Sequence, residues 1–335
     1  MITAIEERYK FTSIFHEEMN SFLKLLSSYS RSTYEDYIYT LKNLDDYINS
    51  SGLQEKILSE ELISNWLKTH NVQSATKNSR IGHVRKFSQY LNALEIHAFE
   101  PVRIRTSSNY KAYTFTEKEF EAIICEADNY CTNGRKTNGQ YLFPILLRIL
   151  YGCGLRISEA LALRWQDVNL ETGVITIRES KFHKQRRVPM HVSLTNLLQL
   201  LHTKQIEEKG NYGGFLFESP YCPGKPYKYS TFEYWFSKIL DFAGIYNERK
   251  HPNERGICPH VLRHYFTFRS FQQALREGLS LEETLPYLSE FLGHESFFGT
   301  EKYVTADYTL YVDSHKRMND YIGGIFPEVN FEETE

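Results

Sequence analysis

The chain has 335 residues, enough for two domains that each bury a core, and its 41% hydrophobic and 24% charged residues with only 18 glycines and 10 prolines exclude a disordered or fibrous chain. Its 39 basic and 42 acidic residues leave a net charge of −3, which excludes a surface uniformly basic for nucleic acid. The longest apolar stretch, Tyr141 to Leu155, is broken by Pro144 and Arg148; Glu6, Glu7, Glu17 and Glu18 occupy the start; the five cysteines form no CxxC pair. No membrane span, secretory leader, zinc knuckle or disulfide framework is therefore expected, and a reducing cytoplasm fits.

Taken in chain order, the first predicted element is a helix that begins with Ser32 and Glu35 as a capping box and carries Tyr37, Leu41, Leu44 and Ile48 on one face. From Leu62 to Leu94 no acid occurs, while Lys68, Lys77, Arg80, Arg85 and Lys86 stand there with His70 and His83 among them. Val84, Phe87, Leu91 and Leu94 form a helical stripe with Lys86 opposite, so this segment packs on one side and offers cations on the other. The pattern lapses from Arg103 to Tyr110, and a second capping box, Thr116 with Glu119, opens the next helix. We place a helical domain at 1–106, a linker at 107–113 and a second domain at 114–335.

The second domain starts helical and then changes period. Val174 to Ile177 is β-branched, follows Glu-Thr-Gly, and leads through Arg178 to Arg187 into Val188-Pro189, which predicts a β-hairpin with a basic tip. Between Gly173 and Gln205 the cations Arg178, Lys181, Lys184, Arg186, Arg187 and Lys204 face only Glu179. Capping boxes at Ser230 with Glu233 and Ser280 with Glu283 return the chain to helix. The fold class expected is mainly α with a small antiparallel β-sheet (α+β).

Each chemical motif has an ordinary structural reading when taken singly. His260 and Arg263 form an HxxR pattern, but His183 with Arg186 repeats it. His260 and His264 are four apart on a helix, yet Val261 stands where a zinc-protease helix has glutamate, so no metal site is expected. Arg156 after an apolar stretch is by default a snorkelling helix residue.

Their order is more specific. Tyr-Gly-Cys-Gly-Leu-Arg156-Ile-Ser-Glu159-Ala is followed by Ser-Lys181-Phe-His-Lys184-Gln-Arg186-Arg187-Val-Pro189. Pro-His260-Val-Leu-Arg263-His-Tyr-Phe comes next, then Leu-Gly-His294-Glu-Ser, then Tyr303 nine residues on. From about Phe115 to Tyr311 this series resembles the tyrosine recombinase (phage integrase) family. The first domain is similar to that family's helical core-binding domain in length, helicity and position.

The resemblance implies a site-specific DNA recombinase or integrase whose two domains clamp duplex DNA. A phosphodiester under attack gathers charge on its non-bridging oxygens, and arginine suits that charge because its planar fork binds two oxygens and keeps its proton. Arg156 and Arg263 match the family's two such arginines. His260 matches the histidine that bonds the phosphate and accepts the nucleophile's proton, and His294 a second histidine on the transition state. Lys181 matches the mobile lysine that protonates the departing 5′ oxygen, with Lys184 as fallback. Tyr303 matches the nucleophile that forms a 3′-phosphotyrosine, which keeps the energy of the broken bond, so neither nucleotide, metal nor other cofactor is expected. Tyr308 and Tyr311 are rivals at less suitable spacing. Glu159 is expected to hold Arg156 or its helix. Lys77, Arg80, Arg85, Lys86, Lys184, Arg186 and Arg187 are the expected DNA-binding residues.

Partners implied are double-stranded DNA with a specific core site and a homotetramer on paired sites, with room for an accessory directionality factor. Val312, Met318, Tyr321, Ile322, Ile325 and Phe326 are available to pack on a neighbouring protomer or back on their own domain. Three features depart from the family pattern: a long interval from Arg263 to His294, Phe182 where glycine often follows the lysine, and too few residues before the first helix for an arm-site-binding domain. Two other readings stand beside recombination. One is a type IB topoisomerase-like nicking and resealing enzyme, against which His260 argues, since lysine is usual there. The other is a non-catalytic DNA-binding derivative.

Overall fold

A computed structural model of the chain describes residues 9–105, 113–130, 138–178, 185–210, 213–246 and 256–293. It divides into two compact units, one built on Met1–Asn109 and the other on Tyr110–Lys250 and Glu254–Glu335. The linker expected at 107–113 lies outside the described residues except for Tyr113.

The first unit holds α1 (His16–Leu25), α2 (Arg31–Ser51), α3 (Glu60–Lys68) and α4 (Ser74–Ala93). The four-three-four spacing on α2 puts Tyr37, Leu41, Leu44 and Ile48 inward, all at 4% exposure or less, and Val84, Phe87 and Leu91 meet them from α4. Each such side chain contributes roughly 1.5–3 kcal/mol relative to exposure. Leu94 of the expected stripe is half exposed, because α4 ends at Ala93 and the residue after a helix no longer follows its period. Asp45 is fully buried on α2 and accepts from the amides of Thr12 and Ser13 and from Lys42 Nζ; these bonds hold its carboxyl below the usual range against the effect of burial.

The second unit holds α5 (Glu117–Tyr130), α6 (Gly139–Cys153), α7 (Ile157–Leu161), strands β1 (Val168–Asn169), β2 (Val174–Ile177) and β3 (Arg186–Pro189), then α8 (Val192–Lys209), α9 (Tyr229–Phe242), α10 (His260–Arg276) and α11 (Leu281–Leu292). The sheet is antiparallel in the order β1-β2-β3, with Ile175 opposite Val188 and Ile177 opposite Arg186. Helix α6 is buried nearly all round, from Leu142 to Cys153, because α5, α8 and α10 pack on different sides of it. No helix among the described residues is long and apolar enough to cross a membrane.

Two expected caps are corrected. Helix α2 starts two residues early, capped by Ser30, whose Oγ accepts from Thr33 N; Glu35 instead pairs with Arg31 at 2.8 Å, one helical turn back. Lys228 precedes α9 without a side-chain cap, and Glu233 accepts from the Tyr229 hydroxyl rather than closing a box on Ser230. The boxes at Thr116 with Glu119 and at Ser280 with Glu283 form reciprocally. The long interval after Arg263 is occupied by the rest of α10 and by α11, not by an extended loop.

Candidate active site

The site grows out of the end of α6. Gly154 closes that helix in the left-handed region at φ +59°, and a Cβ there would stand 2.4 Å from the Phe266 ring, so only glycine permits this approach. The turn buries Leu155 and delivers Arg156 in extended conformation to the N-terminus of α7. Glu159, in the first turn of α7, reaches back: its Oε2 accepts from Arg156 N at 3.0 Å and its Oε1 from Arg156 Nη1 at 2.8 Å.

A second arginine shares that carboxylate. Arg186 Nη1 donates to Glu159 Oε1 at 3.1 Å and Arg186 Nη2 to Oε2 at 2.7 Å, in the two-pronged arrangement that suits guanidinium and carboxylate. Burial acts to raise the Glu159 pKa, but the hydrogen bonds and charge of Arg186, followed by the bonds from Arg156, overrule it and hold the carboxyl at about 2. Arg186 was expected to face DNA from the hairpin, and this is corrected: its side chain is only 7% exposed. The reason is strand alternation, since Arg186 shares a face of β3 with the fully buried Val188, whereas Arg187 lies on the other face and is exposed.

Arg263 enters from α10. It is 1% exposed, and donates from Nη1 to Gly154 O and from Nη2 to Leu292 O, both at 2.7 Å. Its guanidinium thereby joins the end of α6 to the end of α11. Arg156 converges on the same place, with Nη2 donating to Gly293 O at 3.3 Å. His260 is the first residue of α10, exposed, with its ring edge-on to His264 at 5.1 Å. Arg156, Arg186 and Arg263 bring three guanidinium groups to this place, two of them sharing the carboxylate of Glu159, and Arg156 is the most accessible of the three at 20% side-chain exposure. Such a cluster favours an anion. Lys181, Lys184, His294 and Tyr303, with the rivals Tyr308 and Tyr311, lie outside the described residues.

In the first unit the four expected DNA-binding cations all lie on α4. Arg80 stacks over the Tyr39 ring at 5.6 Å, Arg85 stands 3.7 Å from Glu100, and Lys86 donates to the Tyr29 hydroxyl at 3.1 Å. That hydrogen bond holds the Lys86 ammonium above its ordinary pKa. Lys77 is partly buried one turn before Arg80.

Sequence reasoning missed two parts of this site: the main-chain carbonyls at the end of α11, and the inward turn of Arg186. The alternation of Arg186 with Val188 on a strand was the available signal for the second.

Residues 114–309 match the phage integrase family. The tyrosine recombinase XerC of Oceanobacillus iheyensis is 26% identical over 314 residues, covering 89% of this chain and 94% of the relative. The tyrosine recombinase XerC of Pediococcus pentosaceus is 23% identical over 294 residues, covering 84% and 90%. Among solved structures, the XerH site-specific recombinase bound to palindromic difH substrate in a post-cleavage complex superposes with TM-score 0.65 at 20% identity, over 90% of this chain and 84% of that one. A lambda integrase dimer, residues 75–356, bound to a COC′ core site gives TM-score 0.61 at 14% identity, over 95% and 99%. At these identities the two structures speak for the fold.

Proposed function

The chain belongs to the phage integrase family, and from that premise we propose that it is a site-specific recombinase that cuts and rejoins DNA strands through a 3′-phosphotyrosine. The observation that carries the reading is the convergence of Arg156 and Arg263 on the Leu292–Gly293 turn, beside the third guanidinium of Arg186. That turn leads directly to His294 in the sequence.

The chemistry divides among this chain's residues as follows. Tyr303 Oη attacks the scissile phosphorus and forms the new P–O bond, while His260 accepts the phenolic proton. The bond to the 5′ oxygen breaks, and Lys181 supplies the proton that this oxygen takes. Arg156, Arg263 and His294 face the non-bridging oxygens, where negative charge grows in the transition state. Rejoining is the same sequence reversed with a 5′ hydroxyl as nucleophile, and the phosphotyrosine bond replaces the phosphodiester without an external energy source. His260 at the position where a topoisomerase-like enzyme usually has lysine supports strand exchange over simple relaxation.

The partner is duplex DNA carrying a specific core site, gripped in the first unit by the α4 cations, in the cytoplasm. Four active sites are needed to exchange two duplexes, and we assign that number to a homotetramer assembled on paired sites, with room for an accessory directionality factor. Incubating the protein with core-site DNA in EDTA and without nucleotide tests the reaction class. A covalent protein–DNA adduct with a free 5′ hydroxyl is expected; strict Mg²⁺ dependence of cleavage would overturn the phosphotyrosine mechanism.

A further inference from the structure

Three consecutive carbonyls close α11, and a different arginine takes each of them. Phe291 O accepts from Arg186 Nε at 2.9 Å, Leu292 O from Arg263 Nη2 at 2.7 Å and Gly293 O from Arg156 Nη2 at 3.3 Å. The last carbonyls of a helix lack intrahelical partners and lie at the negative end of its dipole, so cations are favoured there. Arg156 and Arg263 belong to the proposed cleavage site. Arg186 has no part in that chemistry, yet all three of its guanidinium nitrogens are held, with Nε on Phe291 O and both Nη atoms on Glu159.

Glu159 shows why this matters. An ionised carboxylate accepts about four hydrogen bonds. Here Arg186 supplies two, Arg156 Nη1 a third and Arg156 N the fourth. With Arg186 in place the carboxylate is saturated, and Arg156 gives it one guanidinium nitrogen only. Without Arg186, two acceptor positions open in a carboxylate that is 2% exposed, where unmet charge is expensive. Arg156 would swing to satisfy them as a two-pronged partner, away from the Gly293 carbonyl and from the anion it is to meet. Close packing makes the grip on α11 equally direct: a Cβ on Gly293 would lie 3.0 Å from Arg186 Nη1 and 3.2 Å from its Cδ.

We propose that Arg186 is a positioning residue for DNA strand cleavage: by saturating Glu159 and gripping the last turn of α11 it sets the direction of the Arg156 guanidinium. The proposal rests on the cleavage reaction argued above. It replaces the view of Arg186 as a phosphate contact, and places it in the site's support, on the strand that leaves the Lys181 hairpin.

The test uses the full chain and a nicked core-site duplex, reading single-turnover adduct formation together with the salt dependence of DNA binding. Arg186→Met is expected to lower the cleavage rate constant on the order of 10- to 100-fold, as for a misplaced catalytic group, while the amplitude, the affinity and the salt slope stay as in wild type. Glu159→Gln removes the carboxylate that Arg186 saturates, so in that background Arg186→Met is expected to change the rate by no more than about twofold. Should Arg186→Met fail to fold, Arg186→Lys is read instead. An ammonium cannot form the fork, so the rate constant is again expected to fall with binding intact. A salt slope lower by about one identifies a phosphate contact and overturns the proposal. It is also overturned by additive effects of Glu159→Gln and Arg186→Met, by loss of amplitude with an unchanged rate constant, or by an Arg186→Lys rate constant within about twofold of wild type. If the wild-type protein forms no adduct, the cleavage reading fails, not the positioning argument.

Discussion

Glu159 and Arg186 meet 27 positions apart in a two-pronged ion pair, at 3.1 and 2.7 Å, with both side chains almost out of reach of water. The pair makes a pH-dependent contribution to stability. The folded-state pKa of Glu159, about 2, lies below the ordinary carboxylate value, so the stabilisation is fully present above roughly pH 4.5 and is lost as pH falls toward 2. At neutral pH, Glu159→Gln leaves two arginines without their carboxylate and is expected to destabilise the second unit by about 3 kcal/mol. Thermal melts of wild type and Glu159→Gln from pH 7 to pH 2.5 check this. The gap between them should shrink on acidification, and a gap independent of pH would refute the assignment.

A second expectation concerns α4. Replacing Lys77, Arg80, Arg85 or Lys86 by alanine should weaken DNA binding and reduce the slope of log affinity against log salt by about one for each phosphate that the variant no longer neutralises. Arg85 lies near Glu100 and Lys86 is tied to Tyr29, so these two also report whether a held cation still reaches the backbone. Unchanged slopes would make the acid-free segment a solvated face.

Gly154 joins fold and site. An alanine there would place its Cβ 2.4 Å from the Phe266 ring at a φ of +59°. The left-handed strain and the overpacking together are expected to destabilise by roughly 2–5 kcal/mol. Because Gly154 O accepts from Arg263, cleavage should fall as well. Urea unfolding of Gly154→Ala decides it, and a wild-type midpoint would show that the α6 turn tolerates a side chain.

Much of the architecture was legible because its signals are local. The α2 stripe, the hairpin strands, and the boxes at Thr116 and Ser280 each depend on residues within one or two turns. What escaped depends on distance. β1 is two residues long, too short for any periodicity, and exists because Val168 finds Ile175 across the sheet. The cap of α2 fell to Ser30 and not to the expected Ser32, which brings Arg31 into the helix one turn before Glu35, where the two pair. At the site, the residue types around Arg156, His260 and Arg263 were readable from their order. The carbonyls of Phe291, Leu292 and Gly293 were not, because a main-chain acceptor has no sequence signature.

Assembly gives a fourth expectation. If the segment containing Val312, Met318, Tyr321, Ile322, Ile325 and Phe326 couples protomers, truncation after Asp313 should leave binding to a single site near normal while synaptic complexes and recombination are lost. Native gel shifts on single and paired sites distinguish the cases. Tetramers and recombination by the truncated protein would rule the segment out as the coupling element.

The most direct measurement of the central claim is covalent trapping on a nicked suicide duplex by wild type, Tyr303→Phe, Tyr308→Phe and Tyr311→Phe. Loss of one hydroxyl removes the nucleophile but few of the phosphate contacts that hold DNA. Tyr303→Phe alone is expected to lose the adduct while binding DNA as wild type does. An adduct that persists in Tyr303→Phe, or one that disappears in Tyr308→Phe or Tyr311→Phe instead, would contradict it.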